Sequence, residues 1–407
     1  MTHQVPKSAE APVAGQLLTV GACERLTRGM ITASAPLLFL HYADNDALVG
    51  LGNAMQYSVW VVFGLVAGAV SDVYDRAVVI RLSTWLRLVF ACLGAALAAM
   101  GRLDIVSAIG FVTALAVSLV FTDTALNSSL PALYERDELI IVNSRLSVVQ
   151  STMGVVAPLI ATGAFAMGDE WLFLGLAAPA LVAIGTLTRA GGGALGRSGS
   201  RRLRDVNLTS GVRALFASGQ LRTLLVGVTF LNLLSGMFLT VLPVLVVGER
   251  GLSASAFGVA LAVRAAAVIG GNVAIARSAK RGLTNFGPLL VLSFVCRFAS
   301  LVLVGFFPGA AVLMLAMAVS GIGISTWNVP ASSIALEASR GDAASARIAA
   351  FKTAAMLSAP LGAGLGGLTV ALWSGSGVCV GMAVASAVGG LVFYRALVRV
   401  TPSEARL

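Results

Sequence analysis

Charged side chains are scarce in this chain of 407 residues. Only 11% of the residues are Asp, Glu, Lys or Arg, and 57% are hydrophobic. Soluble domains carry about 25% charged residues, so the composition excludes an ordinary soluble protein. The basic residues behind the net charge of +10 lie in short segments between long apolar runs. Because they do not form one patch, they indicate the charge bias of membrane loops rather than binding to nucleic acid.

Side chains that support covalent or metal chemistry are also few. The two histidines, His3 and His41, fall outside the centre of any apolar run, which argues against a histidine-based membrane acyltransferase and a histidine metal site. The chain has no Gly-Lys pair and therefore no P-loop for ATP. Four cysteines lie in apolar segments without a Cys-x-x-Cys pair, which predicts neither a disulfide framework nor a metal site. We therefore predict no enzymatic activity and no cofactor.

Long apolar runs make up most of the chain, and a helix needs about 20 residues to cross a bilayer. They predict an all-α membrane protein with twelve transmembrane helices at 17–41, 47–70, 78–99, 105–130, 143–167, 171–189, 221–247, 254–276, 285–305, 310–334, 346–372 and 377–398. The polar start of the chain does not resemble a cleavable signal peptide. With the N-terminus inside, the outer loops hold only Arg102 and Arg250 among the basic residues. This bias predicts that both termini are cytoplasmic.

The longest polar segment divides the chain into two halves. Its first part is rich in Gly, Ser and Arg, which is typical of a flexible linker, and apolar residues then recur at the spacing of an amphipathic helix. We predict an N-terminal half at 1–190, a cytoplasmic linker at 191–220 and a C-terminal half at 221–407. The halves repeat weakly, since Ala157-Pro158-Leu159 matches Ala359-Pro360-Leu361 at about half the chain length. Corresponding helices of the two halves are predicted to run in the same direction, so the repeat is parallel.

A short polar turn between the second and third apolar runs combines small and charged residues. Gly64 and Gly68 lie four apart on one helix face, where small residues let another helix approach closely. Asp72 and Arg76 follow at the helix end. They form either part of a gate or a solvated turn. The spacing of Gly68, Asp72 and Arg76 resembles the loop between helices 2 and 3 of the major facilitator superfamily. Where that pattern has a second glycine, this chain has Asp75.

Two further segments extend the resemblance over nearly the whole chain. The segment 121–146 resembles the helix 4 to helix 5 region of bacterial drug-efflux members of that family. Gly154, Pro158 and Gly163 resemble the helix 5 signature of its antiporters, although Ala157 replaces the usual glycine before the proline. The resemblance implies the major facilitator fold, with two pseudo-symmetric six-helix halves. It also implies that these residues, and Pro360 at the matching position of helix 11, bend the helices and let the halves pack closely.

Two acidic residues lie well inside predicted spans: Glu24 in helix 1 and Asp123 in helix 4. Ionisable groups are costly in a membrane, so each is a functional candidate. Arg28 follows Glu24 by four residues, as either a structural ion pair or part of a proton-coupling site. Asp123 has no basic residue three or four positions away, and the alternative is that it lies near the wet cytoplasmic end. The three residues are our candidates for proton coupling, with Glu24 preferred.

Polar residues on the other helices are candidates for a substrate cavity. The family resemblance implies that helices 1, 4, 7 and 10 line the cavity, which selects Asn232, Trp327 and Asn328. Arg264 lies in the middle of helix 8 and is a candidate for an anionic substrate or for a partner on another helix. Arg297 occupies the repeat position of Arg87, for which a structural role is favoured.

The resemblance implies a secondary active transporter. We expect proton-coupled efflux of small hydrophobic organic molecules, such as drugs, antibiotics or natural products, by a monomer in the inner membrane of a bacterium. Import or facilitated diffusion of a small metabolite, export of siderophores, and a receptor that transports nothing are alternatives. We further expect Asp72 to close the cytoplasmic side by meeting the start of helix 11 near residues 345–347, since helix N-termini attract anions.

Overall fold

The structure, a computed structural model, describes residues 7–134, 136–189, 219–281, 286–338, 351 and 355–400. Within these residues the chain forms twelve helices and no strand, which confirms the predicted all-α architecture. They are α1 Lys7–Tyr42, α2 Asp46–Val73, α3 Arg76–Ala99, α4 Ile105–Leu133, α5 Arg136–Met167, α6 Asp169–Arg189, α7 Gly219–Pro243, α8 Ala254–Lys280, α9 Gly287–Phe306, α10 Ala310–Ala338, α11 Ser358–Leu372 and α12 Gly375–Val400. A π-helical segment, Val244–Glu249, continues α7.

Several helices are longer than the apolar runs that predict them. α1 begins ten residues early and α5 begins at 136 rather than 143. The hydrophobic pattern marks the part of a helix that meets lipid, whereas hydrogen bonding along the backbone continues into polar residues. The predicted linker with its amphipathic helix lies outside the described residues, apart from the last two positions, which begin α7. The start of predicted helix 11, including 345–347, also lies outside them.

Ten of the described helices are long and apolar enough to cross a membrane. α1 and α11 are the two that do not meet this criterion. α11 has only 15 described residues. α1 is long enough, but it carries Glu24, Arg25 and Arg28 near its middle. Its charges therefore need compensation from other parts of the protein.

The chain groups into two compact units, residues 1–42 with 55–205 and residues 43–54 with 206–407. In the first unit, α1 packs on α4, α5 and α6, while α3 packs on α4 and α6. In the second unit, α7 packs on α11 and α12, while α9 packs on α10 and α12. Four of these helix pairs therefore recur with an offset of six helices, which is the three-dimensional counterpart of the weak sequence repeat.

α3 shows how these helices are matched to lipid. Small and polar residues such as Ala77, Thr84 and Ala91 are buried. Large apolar residues such as Leu82 and Trp85 are exposed. A helix that is exposed on its apolar side and buried on its small and polar side is suited to a hydrocarbon environment, where close packing holds helices together.

The turn between α2 and α3 is stabilised by the residue that departs from the family pattern. Asp75 has an extended backbone and its side chain accepts a hydrogen bond of 2.8 Å from the backbone N–H of Ala77, so it is the N-cap of α3. The close helix approach predicted at Gly64 and Gly68 is not found among the described residues. A Cβ added at either glycine would meet no atom within 4 Å. A gating role for this segment stays a prediction.

Candidate functional site

The first unit contains a charged cluster inside its helices. Glu24 of α1 is fully buried, and Arg28 lies one turn further along the same helix. The Nε of Arg28 donates a hydrogen bond of 2.9 Å to Oε1 of Glu24, and its Nη2 bonds to the same oxygen. The structure therefore contains the ion pair expected from the spacing of four residues.

Asp123 of α4 joins this cluster through the same arginine. Its Oδ1 lies 3.1 Å from Nη2 of Arg28, and its side chain is 20% exposed. Because the partner comes from α1, neighbours in the sequence of α4 gave no sign of it. One guanidinium group thus holds two carboxylates that belong to different helices.

Other groups complete the surroundings of Arg28. Its guanidinium lies over the ring of Trp60, 4.0 Å from the ring centroid, in cation–π geometry. Nη1 of Arg25 lies 3.8 Å from Oε2 of Glu24, and within the described part of the chain this oxygen has no hydrogen-bond partner. Desolvation favours the neutral form of a carboxylate and a nearby guanidinium favours the ionised form. Arg28 is held by two carboxylates and one aromatic ring.

Arg87 of α3 is buried beside α4 in the same unit. Its Nη2 donates a hydrogen bond of 2.6 Å to the hydroxyl of Thr122, and its Nε donates one of 3.3 Å to that of Ser118. These bonds join α3 to α4. They agree with the structural role that the repeat position favoured.

The second unit contains a polar cavity of about 230 Å³ between α7, α8, α9 and α10. All four residues selected from the sequence as cavity lining meet at it: Asn232, Arg264, Trp327 and Asn328. Arg297 also lines it, together with Ser235, Ser293 and Ser320, which sequence reasoning missed. The sequence did contain a sign of Arg297, since it is a second arginine in the middle of a predicted span. The match with Arg87 in the repeat, however, favoured a structural role for it.

Two glycines of α10 bring both arginines to this cavity. A Cβ added at Gly321 would lie 2.3 Å from the carbonyl oxygen of Arg264, and one added at Gly323 would lie 2.8 Å from the Cβ of Cys296. Only glycine allows α8 and α9 to lie this close to α10. Arg264 of α8 and Arg297 of α9 therefore line one small space.

Arg297 is only partly satisfied in this cavity. Its side chain is buried, with the residue 6% exposed. Its Nη2 donates a hydrogen bond of 2.7 Å to the hydroxyl of Ser235, which itself donates one of 2.8 Å to the carbonyl of Leu231. Its Nη1 is buried and has no hydrogen-bond partner among the described residues.

Trp327 and Asn232 each have a structural contact besides lining the cavity. The ring of Trp327 packs at 5.3 Å from that of Phe393 and edge-on at 5.9 Å from that of Phe294. The side-chain amide of Asn232 donates a hydrogen bond of 2.9 Å to the carbonyl of Ala355 in the segment before α11. Trp327 therefore supplies an apolar wall more than a polar one.

The residues of the predicted helix 5 signature are spread along α5. Pro158 lies inside the helix, and its carbonyl accepts a hydrogen bond of 2.7 Å from the hydroxyl of Thr162. The preceding Ala157 packs on α1, where a Cβ added at Gly29 would lie 2.6 Å from that of Ala157. Gly154 lies one turn before Pro158. A Cβ added at Gly163 would meet no atom within 4 Å in the described part of the chain.

Pro360 lies in the first turn of α11, where proline is tolerated. Bending of α5 and α11 at these positions stays a prediction.

Residues 17–350 match the family model of the Major Facilitator Superfamily. This chain belongs to that superfamily. The predicted resemblance to the superfamily is thereby confirmed, and the coarse function of a major facilitator protein, transport across a membrane, follows from it. No curated protein matches the chain.

Solved major facilitator structures share the fold over nearly the full length. A bacterial homolog of the human lysosomal transporter Spinster, inward-facing and unoccupied, has a TM-score of 0.71 at 12% identity, covering 98% of this chain and all of its own. The nucleoside transporter NupG has a TM-score of 0.74 at 13% identity, covering 95% of this chain and 99% of its own. A POT family transporter in complex with a thioalcohol-conjugated peptide has a TM-score of 0.73 at 11% identity, covering 95% and 96%. Identities this low support the fold alone.

Proposed function

We propose that this major facilitator transporter exports small hydrophobic organic molecules in exchange for protons. It would work as a monomer in the bacterial cytoplasmic membrane, with both termini cytoplasmic and the lipid bilayer around it. The observation that carries the proposal is the pair of carboxylates, Glu24 and Asp123, that share Arg28 inside the helices. Because two acids share Arg28, a proton can take the place of this arginine on the acid that it leaves.

In this mechanism Glu24 is the acid that takes up the proton. When Arg28 turns from Glu24 toward Asp123, the fully buried Glu24 keeps only Arg25 at 3.8 Å as a charged neighbour. An ionised carboxylate is then costly, so Glu24 binds a proton. When Arg28 returns, the ionised form is favoured again and the proton leaves. Asp123 is more exposed than Glu24 and holds the arginine in this step.

Transport itself would come from rocking of residues 1–190 against 221–407. The recurrence of four helix pairs with an offset of six supports this, because internal repeats are the usual basis of alternating access in secondary transporters. In this proposal Gly64, Gly68, Asp72 and Arg76 form the cytoplasmic gate. The helix 5 and helix 11 residues Gly154, Pro158, Gly163 and Pro360 allow the helices to bend.

Reconstituted vesicles with an imposed pH gradient test the coupling, across a panel of antibiotics and dyes. Glu24→Gln is expected to abolish uphill efflux and to spare substrate binding and downhill exchange. Asp104→Asn is the matched control, because Asp104 is an exposed acid that caps α4 and asparagine caps equally well.

The comparison of two acids makes the test decisive. If Glu24→Gln still concentrates substrate like the wild type while Asp123→Asn does not, the coupling acid is Asp123. If both variants concentrate substrate normally, proton coupling through this cluster is wrong.

Import or facilitated diffusion of a metabolite is the second candidate. It is kept as a candidate because the names of two neighbours that share the fold, NupG and the POT transporter, refer to nucleosides and peptides. A facilitator would equilibrate its substrate across the vesicle membrane and would not respond to the pH gradient. The same experiment therefore separates the two functions.

A further inference from the structure

The cavity in the second unit is cationic. Arg264 and Arg297 line it, and none of its lining residues in the described part of the chain is acidic. The sequence explains this, because no Asp or Glu occurs between Glu249, beyond α7, and Glu337, near the end of α10. The four helices that surround the cavity therefore bring two arginines to it, and before Glu337 their own sequences contain no carboxylate.

The first unit also contains arginines inside its helices, but there carboxylates lie beside Arg28. There Arg28 binds Glu24 and Asp123, so that the charges of the cluster compensate one another. Arg297 instead has a serine hydroxyl as its hydrogen-bond acceptor in this structure. A buried guanidinium without a carboxylate is costly inside a membrane protein. Such a cost is reduced when a ligand brings the anion.

Hydrogen-bond donors that lack a partner in the described part of the chain belong to residues that line this cavity. Nη1 of Arg297, the hydroxyl of Ser320 and Nε1 of Trp327 are buried and have no hydrogen-bond partner among the described residues, and all three residues line the cavity. Guanidinium groups bind carboxylate, sulfonate and phosphate oxygens through paired hydrogen bonds of fixed geometry. An oxyanion bound beside the two arginines would accept hydrogen bonds from donors of this kind.

We propose that this cavity binds an oxyanion group of the transported molecule, with Arg264 and Arg297 as its ligands. The inference rests on the proposed transport function and narrows it to organic anions that combine a carboxylate, sulfonate or phosphate with an apolar body. Trp327, packed on Phe294 and Phe393, supplies the apolar wall beside the anion. The volume of about 230 Å³ is enough for the anionic group and part of the body.

Binding of 1-naphthoate, compared with its neutral analogue 1-naphthamide, tests the proposal. The full chain is purified into phosphatidylcholine nanodiscs and binding is measured by calorimetry. The wild type is expected to bind the acid at least tenfold more tightly than the amide. Arg264→Gln and Arg297→Gln are each expected to weaken binding of the acid about tenfold or more and to leave the amide nearly unchanged, since each removes a charged hydrogen-bond donor that only the acid uses fully.

A charge-matched control separates the cavity from the general field of the protein. Arg281→Gln removes an exposed cation of the second unit outside the cavity, and it should preserve the preference for the acid. Arg297 is buried, so its variant is used only if it elutes as a monodisperse peak with the wild-type melting curve. Arg264 is half-buried, and Arg264→Gln decides alone if the other variant does not fold.

Three results overturn the proposal: no binding of naphthoate, equal binding of acid and amide, or an unchanged preference in the folded arginine variants. A second set of nanodiscs containing phosphatidylglycerol identifies the source of the anion. Arginine-dependent competition by that lipid would keep the oxyanion site and assign it to a lipid headgroup. Because the readout is binding and not transport, it is independent of the direction of transport and of proton coupling.

Discussion

Replacing Arg28 by glutamine tests whether one guanidinium group balances two carboxylates inside the helices. The substitution removes both hydrogen bonds to Glu24, the contact of 3.1 Å with Asp123 and the cation–π contact with Trp60. Removing one partner of a buried ion pair costs about 3–5 kcal/mol. The side chain of Arg28 is 36% exposed, so we expect the lower end, about 3 kcal/mol of unfolding free energy.

A double-mutant cycle with Glu24→Gln as the second substitution separates the effect of charge from that of packing. In Arg28→Gln the fully buried Glu24 keeps only Arg25 as a charged neighbour, at 3.8 Å. Adding Glu24→Gln removes the carboxyl that has lost its main partner, and the double variant should recover about 1–2 kcal/mol relative to Arg28→Gln alone. Non-additivity of this sign is specific to an electrostatic origin.

Unfolding in mixed micelles with increasing dodecyl sulfate, followed by tryptophan fluorescence, measures these differences. Arg102→Gln, which removes an exposed cation from the loop before α4, should stay within about 0.5 kcal/mol of the wild type. If Arg28→Gln is as stable as this control, or if the two substitutions of the cluster add without recovery, the idea of a shared counter-ion is refuted.

Further predictions concern the second unit, the gate and the topology. Gly321→Ala places a Cβ 2.3 Å from the carbonyl oxygen of Arg264, and we expect a loss of about 1–3 kcal/mol in the same unfolding assay; Gly270→Ala, where a Cβ meets nothing within 4 Å, is the control, and equal stabilities would contradict the close packing. Asp72→Asn should lower transport at equal expression, and wild-type efflux by that variant would remove Asp72 from the gate. A protease site at Ser198 should be cut only from the cytoplasmic side, and cleavage from outside would reverse the proposed orientation.

The fold followed from the sequence because hydrophobic length is a local property. Twelve apolar runs correspond to twelve described helices, and errors are confined to helix ends such as those of α1 and α5, where polar turns continue the backbone pattern. The Glu24–Arg28 pair was also local, since residues four apart share a helix face. Patterns of this kind need no knowledge of which helices are neighbours.

The rest of the candidate site depends on which helices meet. The contact of Asp123 with Arg28 joins α4 to α1, and neither helix contains a sign of the other. The meeting of Arg264 and Arg297 depends on Gly321 and Gly323 of α10, which read as ordinary small residues until their close contacts are seen. The close approach expected at Gly64 and Gly68 also depends on a partner helix, which a small-residue pattern does not name. Among the described residues, no atom lies within 4 Å of a Cβ added at either glycine.

The charges of α1 have a consequence for how the chain is made. α1 leaves the ribosome first among the described helices, with one acid and two arginines near its middle, and each such charge opposes entry into the bilayer by roughly 2.5–3.5 kcal/mol. Its net positive charge is neutralised only when α4 delivers Asp123. Truncated nascent chains should therefore hold α1 stably in the membrane only when they extend beyond α4, which glycosylation mapping of staged truncations can measure. In the order of synthesis, the fourth helix is then the one that commits the first to the bilayer.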